Sequence, residues 1–197
     1  MYYLVSSHHK IFLIFMIQFS PFPILESERL RFRRLTDNDA PQILELRSDP
    51  KIMEFIPRPL LLDLEGALAH IKMINDNIDA NTDINWAVTE KNNDKCIGIM
   101  GFFRTQPENF RTELGYMILP KYSGKGYVTE AVKEILDYAF NQLNFHSIEA
   151  TIDSRHIKSE RVLIKNGFSK EAHFKENFFY NNEFTDTVIY SLLKRNF

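Results

Sequence analysis

The sequence predicts a mixed α/β fold of the α+β class, and three observations lead there. Short runs of alternating apolar and polar residues, punctuated by turn chemistry, fill the stretch from Ile84 to Leu119. A helical apolar period runs from Gly126 to Leu143. Strand-like segments on either side of that helix make one βαβ unit from Glu113 to Ile152.

The elements follow in order. Leu30-Arg31-Phe32-Arg33 alternates as a strand. Thr36-Asp37-Asn38-Asp39 offers helix caps, and Ala40, Ile43 and Leu44 give the helix that follows one apolar face, up to Pro50. Pro57 and Pro59 flank a loop. Asp63–Ile78 reads as a second helix with Leu64, Ala67, Leu68, Ile71 and Ile74 on one side. Trp86 and Val88 mark a strand, Asn92-Asn93-Asp94 a turn, and Lys95–Phe103 and Glu113–Leu119 two more strands, together an antiparallel meander. In the helix after Gly126, Ala131, Val132, Ile135, Leu136, Ala139, Phe140 and Leu143 recur at helical spacing. Ser147–Ile152 is a strand and Ser159–Lys165 a short helix. A strand then starts at Gly167-Phe168, and Thr187–Leu193 forms the last.

Composition bounds the function. With 24 Lys+Arg against 26 Asp+Glu the net charge is -2, which supplies no general field for nucleic acid or anionic lipid. No stable membrane association is expected. The single cysteine, Cys96, excludes an intramolecular disulfide and a Cys-rich zinc site, and it suits a reducing, cytoplasmic compartment. In Cys96-Ile97-Gly98-Ile99-Met100 it reads as a small core hydrophobe. His146 and His156, ten residues apart across a strand and a loop, have no metal-ligand spacing, so no metal is expected.

Residues 1–23 read as an N-terminal extension to a domain at 24–197. The apolar run Ile11–Phe19 is shorter than the ~20 residues a membrane-spanning helix needs. It resembles the core of a signal peptide, yet Ser20-Pro21-Phe22-Pro23 lacks a small-x-small cleavage pattern. The other reading is an element that covers an apolar surface or makes a subunit contact, as in a homodimer.

Chemistry concentrates in Leu119-Pro120-Lys121-Tyr122-Ser123-Gly124-Lys125-Gly126-Tyr127-Val128-Thr129-Glu130, between a strand and a helix. Two glycines one residue apart let backbone N–H groups point into one concavity. The first helical turn adds unpaired N–H groups and a positive dipole end. This is a site for phosphate or pyrophosphate, or else a tight turn that binds nothing. No glycine stands five residues before Gly124, and residue 129 is Thr, so neither the Walker nor the dinucleotide pattern is present.

The string Glu113-Leu114-Gly115-Tyr116-Met117-Ile118-Leu119-Pro120, followed by Tyr122 to Ala131, resembles the acetyl-CoA motif of GNAT acetyltransferases. Within them it resembles the Rim-type branch of ribosomal-protein N-terminal acetyltransferases. Leu25-Glu26-Ser27-Glu28-Arg29-Leu30, Ser159 to Phe168 and Asp186…Tyr190-Ser191-Leu192-Leu193 agree, in the right order. The resemblance implies a splayed, mostly antiparallel central sheet flanked by helices, with acetyl-CoA as cosubstrate. The pantetheine arm would pair with main chain at Met117, Ile118 and Leu119. The pyrophosphate would rest on Ser123, Gly124, Lys125, Gly126, Tyr127, Val128 and Thr129. Ser123 stands where the family has Gln or Arg, and Val128 where it has Gly or Ala. His156 stands where an Asn contacts the cofactor, and imidazole has the donor and acceptor to replace it.

The resemblance also assigns roles. Glu113 is the nominated general base, or else a strand-end carboxylate held by Arg104 or Arg111. Ser159 is placed near the departing sulfur, or caps its helix; Tyr116, Tyr180 and Tyr190 are alternative acids. The Phe-rich stretch Phe174…Phe178-Phe179-Tyr180 reads as acceptor-pocket wall, core or subunit contact. The expected activity is acetyl transfer to a primary amine, foremost a protein N-terminus. The alternatives are a small amine such as a polyamine or antibiotic, and a non-catalytic CoA-binding module.

Overall fold

The computed structural model describes the backbone of residues 2–7 and 10–15 and the whole of 17–197. The first two segments, β1 (Tyr2–Ser7) and β2 (Lys10–Phe15), form an antiparallel hairpin of their own. The remaining strands make one eight-stranded sheet. They are β3 (Leu25–Glu26), β4 (Leu30–Arg33), β5 (Ile84–Glu90), β6 (Asn93–Gln106), β7 (Arg111–Ile118), β8 (Ser147–Asp153), β9 (Ser169–Tyr180) and β10 (Glu183–Leu193). Their order is β3-β4-β5-β6-β7-β8-β10-β9. Every neighbouring pair is antiparallel except β7 and β8, the parallel pair that the βαβ reading requires.

Four helices cover the sheet: α1 (Ala40–Ser48), α2 (Leu64–Asp79), α3 (Tyr127–Asp137) and α4 (Ile157–Lys165). Successive residues of a strand point to opposite faces, and Ile84 to Thr89 are all buried, so β5 is covered on both sides. Trp86 is the centre of this core, in contact with the rings of Phe22, Phe102 and Tyr138. Its indole N–H donates to the Pro23 carbonyl at 2.8 Å. Ile17 and Phe19 are buried beside it, so the end of the N-terminal stretch is seated on the core.

Three local expectations change. α2 buries Ala67, Ile71, Ile74 and Ile78, a narrower stripe than the sequence suggests, and leaves Leu64 and Leu68 exposed. α3 runs into a π-helical turn at Tyr138–Gln142 before the chain leaves at Leu143. β9 is almost wholly exposed: Phe174, Phe178 and Phe179 lie at the surface and do not join the core. Cys96 is buried, its thiol donating to the Gly98 carbonyl, and burial pushes it up to about 12. No thiolate forms there near neutral pH.

Candidate active site

The glycine loop has the conformation its residues suggest. Gly124 (φ 76°) and Gly126 (φ 80°) are both left-handed, and Gly126 is the N-cap of α3. The first α3 bond runs from the Glu130 N–H to the Gly126 carbonyl at 3.0 Å. Among the described residues, the amides of Gly124, Lys125, Gly126, Tyr127, Val128 and Thr129 therefore have no acceptor. Ser123 differs, since its N–H is spent on the Pro120 carbonyl. Val128 turns its side chain inward to a small gap lined by Gly98, Met117 and Ile118. Only its amide remains for a ligand, which explains how a branched side chain fits a position usually small.

The loop is braced from the far edge of the sheet. The Arg29 guanidinium donates to Glu130 at 2.6 Å and to the Lys125 carbonyl at 3.2 Å, and lies 4.5 Å over the Tyr127 ring. The Ser27 hydroxyl and the Arg29 N–H also donate to Glu130, at 2.6 and 2.8 Å. Partial burial raises the Glu130 carboxyl, but these donors outweigh it and hold the group below its ordinary value. Thus the Leu25–Leu30 motif is a clasp on the loop, with Ser27 and Arg29 as its working residues.

Next to the loop the sheet opens. β7 pairs with β8 only from Arg111 to Glu113, whereas its pairing with β6 continues to Ile118. The Leu119 N–H donates to Ile97 and its carbonyl accepts from Tyr122. Antiparallel main chain alternates, so Met117 also bonds towards β6, while Tyr116 and Ile118 turn N–H and C=O into the gap. Of the three residues expected to pair with a pantetheine arm, Ile118 alone presents free main chain. Met117 instead lines the adjoining cavity with its side chain.

Ser159 is 5% exposed and lies inside α4, whose N-cap is His156; the capping role expected of the serine is therefore not filled. Its Oγ is 2.7 Å from the Tyr116 hydroxyl. Burial pushes Tyr116 up to about 12, against the lowering effect of the Ser159 hydrogen bond. Tyr190 donates to Glu160 and is spent. His156 stacks on Phe55 with ring centroids 4.7 Å apart. Burial lowers its imidazole despite Asp153, so the ring is neutral at pH 7 and free to donate or accept.

Tyr116, Met117, His156 and Ser159 open onto a cavity of about 660 Å³ that extends to Glu113, Asp83, His70 and Arg47. Glu113 Oε2 accepts from Arg104 at 2.8 Å, one of the two partners named for it, while Arg111 pairs with Glu149. Among the described residues no donor reaches Glu113 Oε1. Asp83 is raised by burial against hydrogen bonds from the Arg104 amide and from Asn77. Sequence reading expects pocket walls around Phe55–Glu65 and His173–Phe184; Phe55, Ile56 and Arg58 of the first do line the cavity and the second does not, while Asp83, His70 and Arg47 were missed. Those missed come from three separate segments, and no local spacing joins them. Among the described residues no group of His, Cys, Asp and Glu is arranged to hold a metal, and no helix is long and apolar enough to cross a membrane.

Exposed amides on a left-handed glycine loop, beside an inward-facing open strand edge, fit a diphosphate with a peptide-like arm, as in coenzyme A. Comparison with known proteins agrees. Residues 29–169 match the family profile described as the acetyltransferase (GNAT) domain. The uncharacterized N-acetyltransferase p20 of Bacillus licheniformis is 31% identical over 88% of this chain and 97% of its own. The spermidine N(1)-acetyltransferase of Escherichia coli K12 is 27% identical over 83% of this chain and 80% of its own. The crystal structure of the ribosomal-protein-S5-alanine acetyltransferase from Vibrio fischeri superimposes with a TM-score of 0.76. It is 25% identical and covers 87% of this chain and 97% of that one. With its glycine loop, its splayed sheet and a family profile matched across most of its length, the chain belongs to the GNAT acetyltransferases and is an N-acetyltransferase.

Proposed function

We propose that this enzyme acetylates a protein N-terminal amine, with 24–197 as the catalytic domain, 1–23 as an extension, and the cytoplasm as its place of action. The observation that carries this reading is the state of the carboxylates in the acceptor cavity. Glu113 is matched to Arg104, and Asp83 is half-buried with its own donors. Such a site suits an amine that needs little help to lose its proton. Roughly a tenth of α-amines are neutral at pH 7, against fewer than about one in a thousand lysine-like amines. A polyamine also calls for unmatched carboxylates to hold its other cations.

Acetyl-CoA supplies the acyl group as a thioester and a thiolate as leaving group. The amides of Gly124, Lys125, Gly126, Tyr127, Val128 and Thr129 would hold its diphosphate, with Ser123 beside them. The main chain of Ile118 and the neutral ring of His156 would hold its arm, with Met117 and Leu119 shaping the wall. Glu113 Oε1 accepts the proton of the incoming amine. The Ser159 hydroxyl donates towards the departing sulfur, and Tyr116 fixes its orientation. The serine hydroxyl, no stronger an acid, only hydrogen-bonds the sulfur, which leaves as the thiolate, and a phenol raised to about 12 is likewise a poor acid for a thiol of pKa ~8.5. Its part is to position the serine and to steady it.

The test is mass-resolved acetylation of N-terminal peptides, a peptide whose only amine is a lysine, and spermidine, each with acetyl-CoA. Acetylation of the α-amine at the highest kcat/KM supports the proposal. A preference for spermidine or lysine overturns it, and coenzyme A binding without turnover of any amine would make the chain a binding module.

A further inference from the structure

The acceptor cavity has an excess of positive charge on the wall built by α1, α2 and the loop between them. Arg47, in the last turn of α1, lines this wall, and its Nε–H is fully buried with no hydrogen-bond partner. Among the described residues it forms no salt bridge, and neither does Arg58, the next cation along the same wall. The two lie close enough that Arg58, after burial, lowers Arg47. Burial and then Arg47 push the neighbouring His70 down to about 4, so it adds no charge at pH 7 and offers no counter-ion. The Tyr180 side chain also lies near Arg47. Of the two carboxylates in the cavity, Glu113 already has Arg104. One other described arginine, Arg31 on β4, has a buried Nε without a partner, but it does not line the cavity.

An unpaired guanidinium in a partly dry wall is costly unless something completes it. Its planar fork is shaped for a carboxylate or a phosphate, which it binds through paired N–H groups. The wall belongs to the same cavity as Glu113, the nominated base, and none of that cavity's lining comes from the glycine loop, so we assign what reaches the wall to the acceptor.

We propose that Arg47, assisted by Arg58, receives an anionic side chain of the acceptor, so that the enzyme selects N-termini with an acidic or phosphorylated residue next to the acetylated one. This rests on the N-terminal reading above and narrows it. The same wall repels polyamines and basic N-termini, which gives selectivity by rejection as well as by attraction.

The test uses the full-length enzyme, acetyl-CoA and four short peptides that share an N-terminal serine and differ at the second residue: Asp, phosphoserine, Asn and Lys. Loss of one charge-assisted pair should lower kcat/KM about tenfold or more from the better anionic peptide to Asn, and further for Lys. The Asp and phosphoserine arms decide which anion is read. In Arg47→Gln the ratio of anionic to Asn peptide should fall towards one, and Arg47→Lys should restore part of it. Arg58→Gln, on the exposed loop, should reduce the same ratio and serves if Arg47→Gln does not fold. Equal rates for all four peptides, or a ratio unchanged in these variants, overturns the anion site while leaving N-terminal acetylation standing. Spermidine acetylated with no peptide turned over would instead sink the N-terminal reading.

Discussion

Gly124 and Gly126 separate two costs that are usually tangled. An alanine at either position must hold a φ near +80°, where a Cβ is unfavourable by roughly 1–2 kcal/mol. At Gly124 nothing lies within 4 Å of the added carbon, so the conformational cost stands alone. At Gly126 the Arg29 Nη2 is 3.4 Å away, at the mobile end of a side chain, and has to give slightly. The cost must appear in one of two places. If the free loop keeps its shape, folding stability falls by that amount and coenzyme A affinity is retained. If the loop relaxes, stability is kept and binding must restore the shape, which weakens Kd by roughly 5- to 30-fold. Urea denaturation and calorimetric titration with coenzyme A, run on Gly124→Ala and Gly126→Ala, should give losses that together reach the same roughly 1–2 kcal/mol. Gly126→Val adds a branched carbon at the helix entrance and should weaken binding further. Stability and affinity both unchanged in the two alanine variants would show that the left-handed turn contributes nothing, and would remove the loop from the site.

Other expectations follow from the same geometry. Ser159→Ala should lower kcat by about ten- to a hundredfold while the Kd for coenzyme A moves little; a matching loss in both would reduce the serine to a packing role. Tyr116→Phe should have a smaller effect on kcat, and equal loss in the two variants would make the phenol the direct donor. Glu113→Gln should lower kcat/KM most at low pH, where the amine is most protonated, and a pH profile that merely shifts down in parallel would argue against proton acceptance there. His70 has its folded value at about 4, below its ordinary 6.5, so the unfolded chain binds more protons between those values. Stability should therefore rise with pH across that window and be lost as pH falls from 6.5 towards 4. His70→Gln should flatten that slope in melting temperature, and an unaltered slope would place the titration elsewhere.

The parts of this molecule legible in sequence are those whose causes are local. The meander of β5, β6 and β7 is marked by alternation and by Asn92-Asn93-Asp94. The parallel return of β8 follows from the helix between it and β7, and the left-handed loop before α3 from two glycines after a proline. Ser159 looked like a cap because a serine precedes an apolar stripe, but the helix begins two residues earlier and the hydroxyl is turned to Tyr116, 43 residues away in the chain. Arg29 was seen only as part of a motif, since its partner Glu130 lies 101 residues on. The acceptor cavity was legible only in part, at Glu113 and the Phe55–Glu65 segment, for the same reason. Arg47, His70, Asp83 and Glu113 sit on four segments, and only the folded chain brings them around one cavity. The phenylalanines of β9 belong neither to the core nor to the cavity wall, because β9 is the strand that ends the sheet.

Parting β7 from β8 after Glu113 leaves a sheet edge inside the protein, where no second molecule of the same kind can reach it. Elsewhere such an edge invites fibrils; here it is hidden from other chains and open only to something as slender as a pantetheine tail. In the proposed binding mode the cosubstrate would act as a missing strand. Its arrival should slow amide exchange at Ile118 and raise the melting point, so that the enzyme is sturdiest when charged for its next turnover.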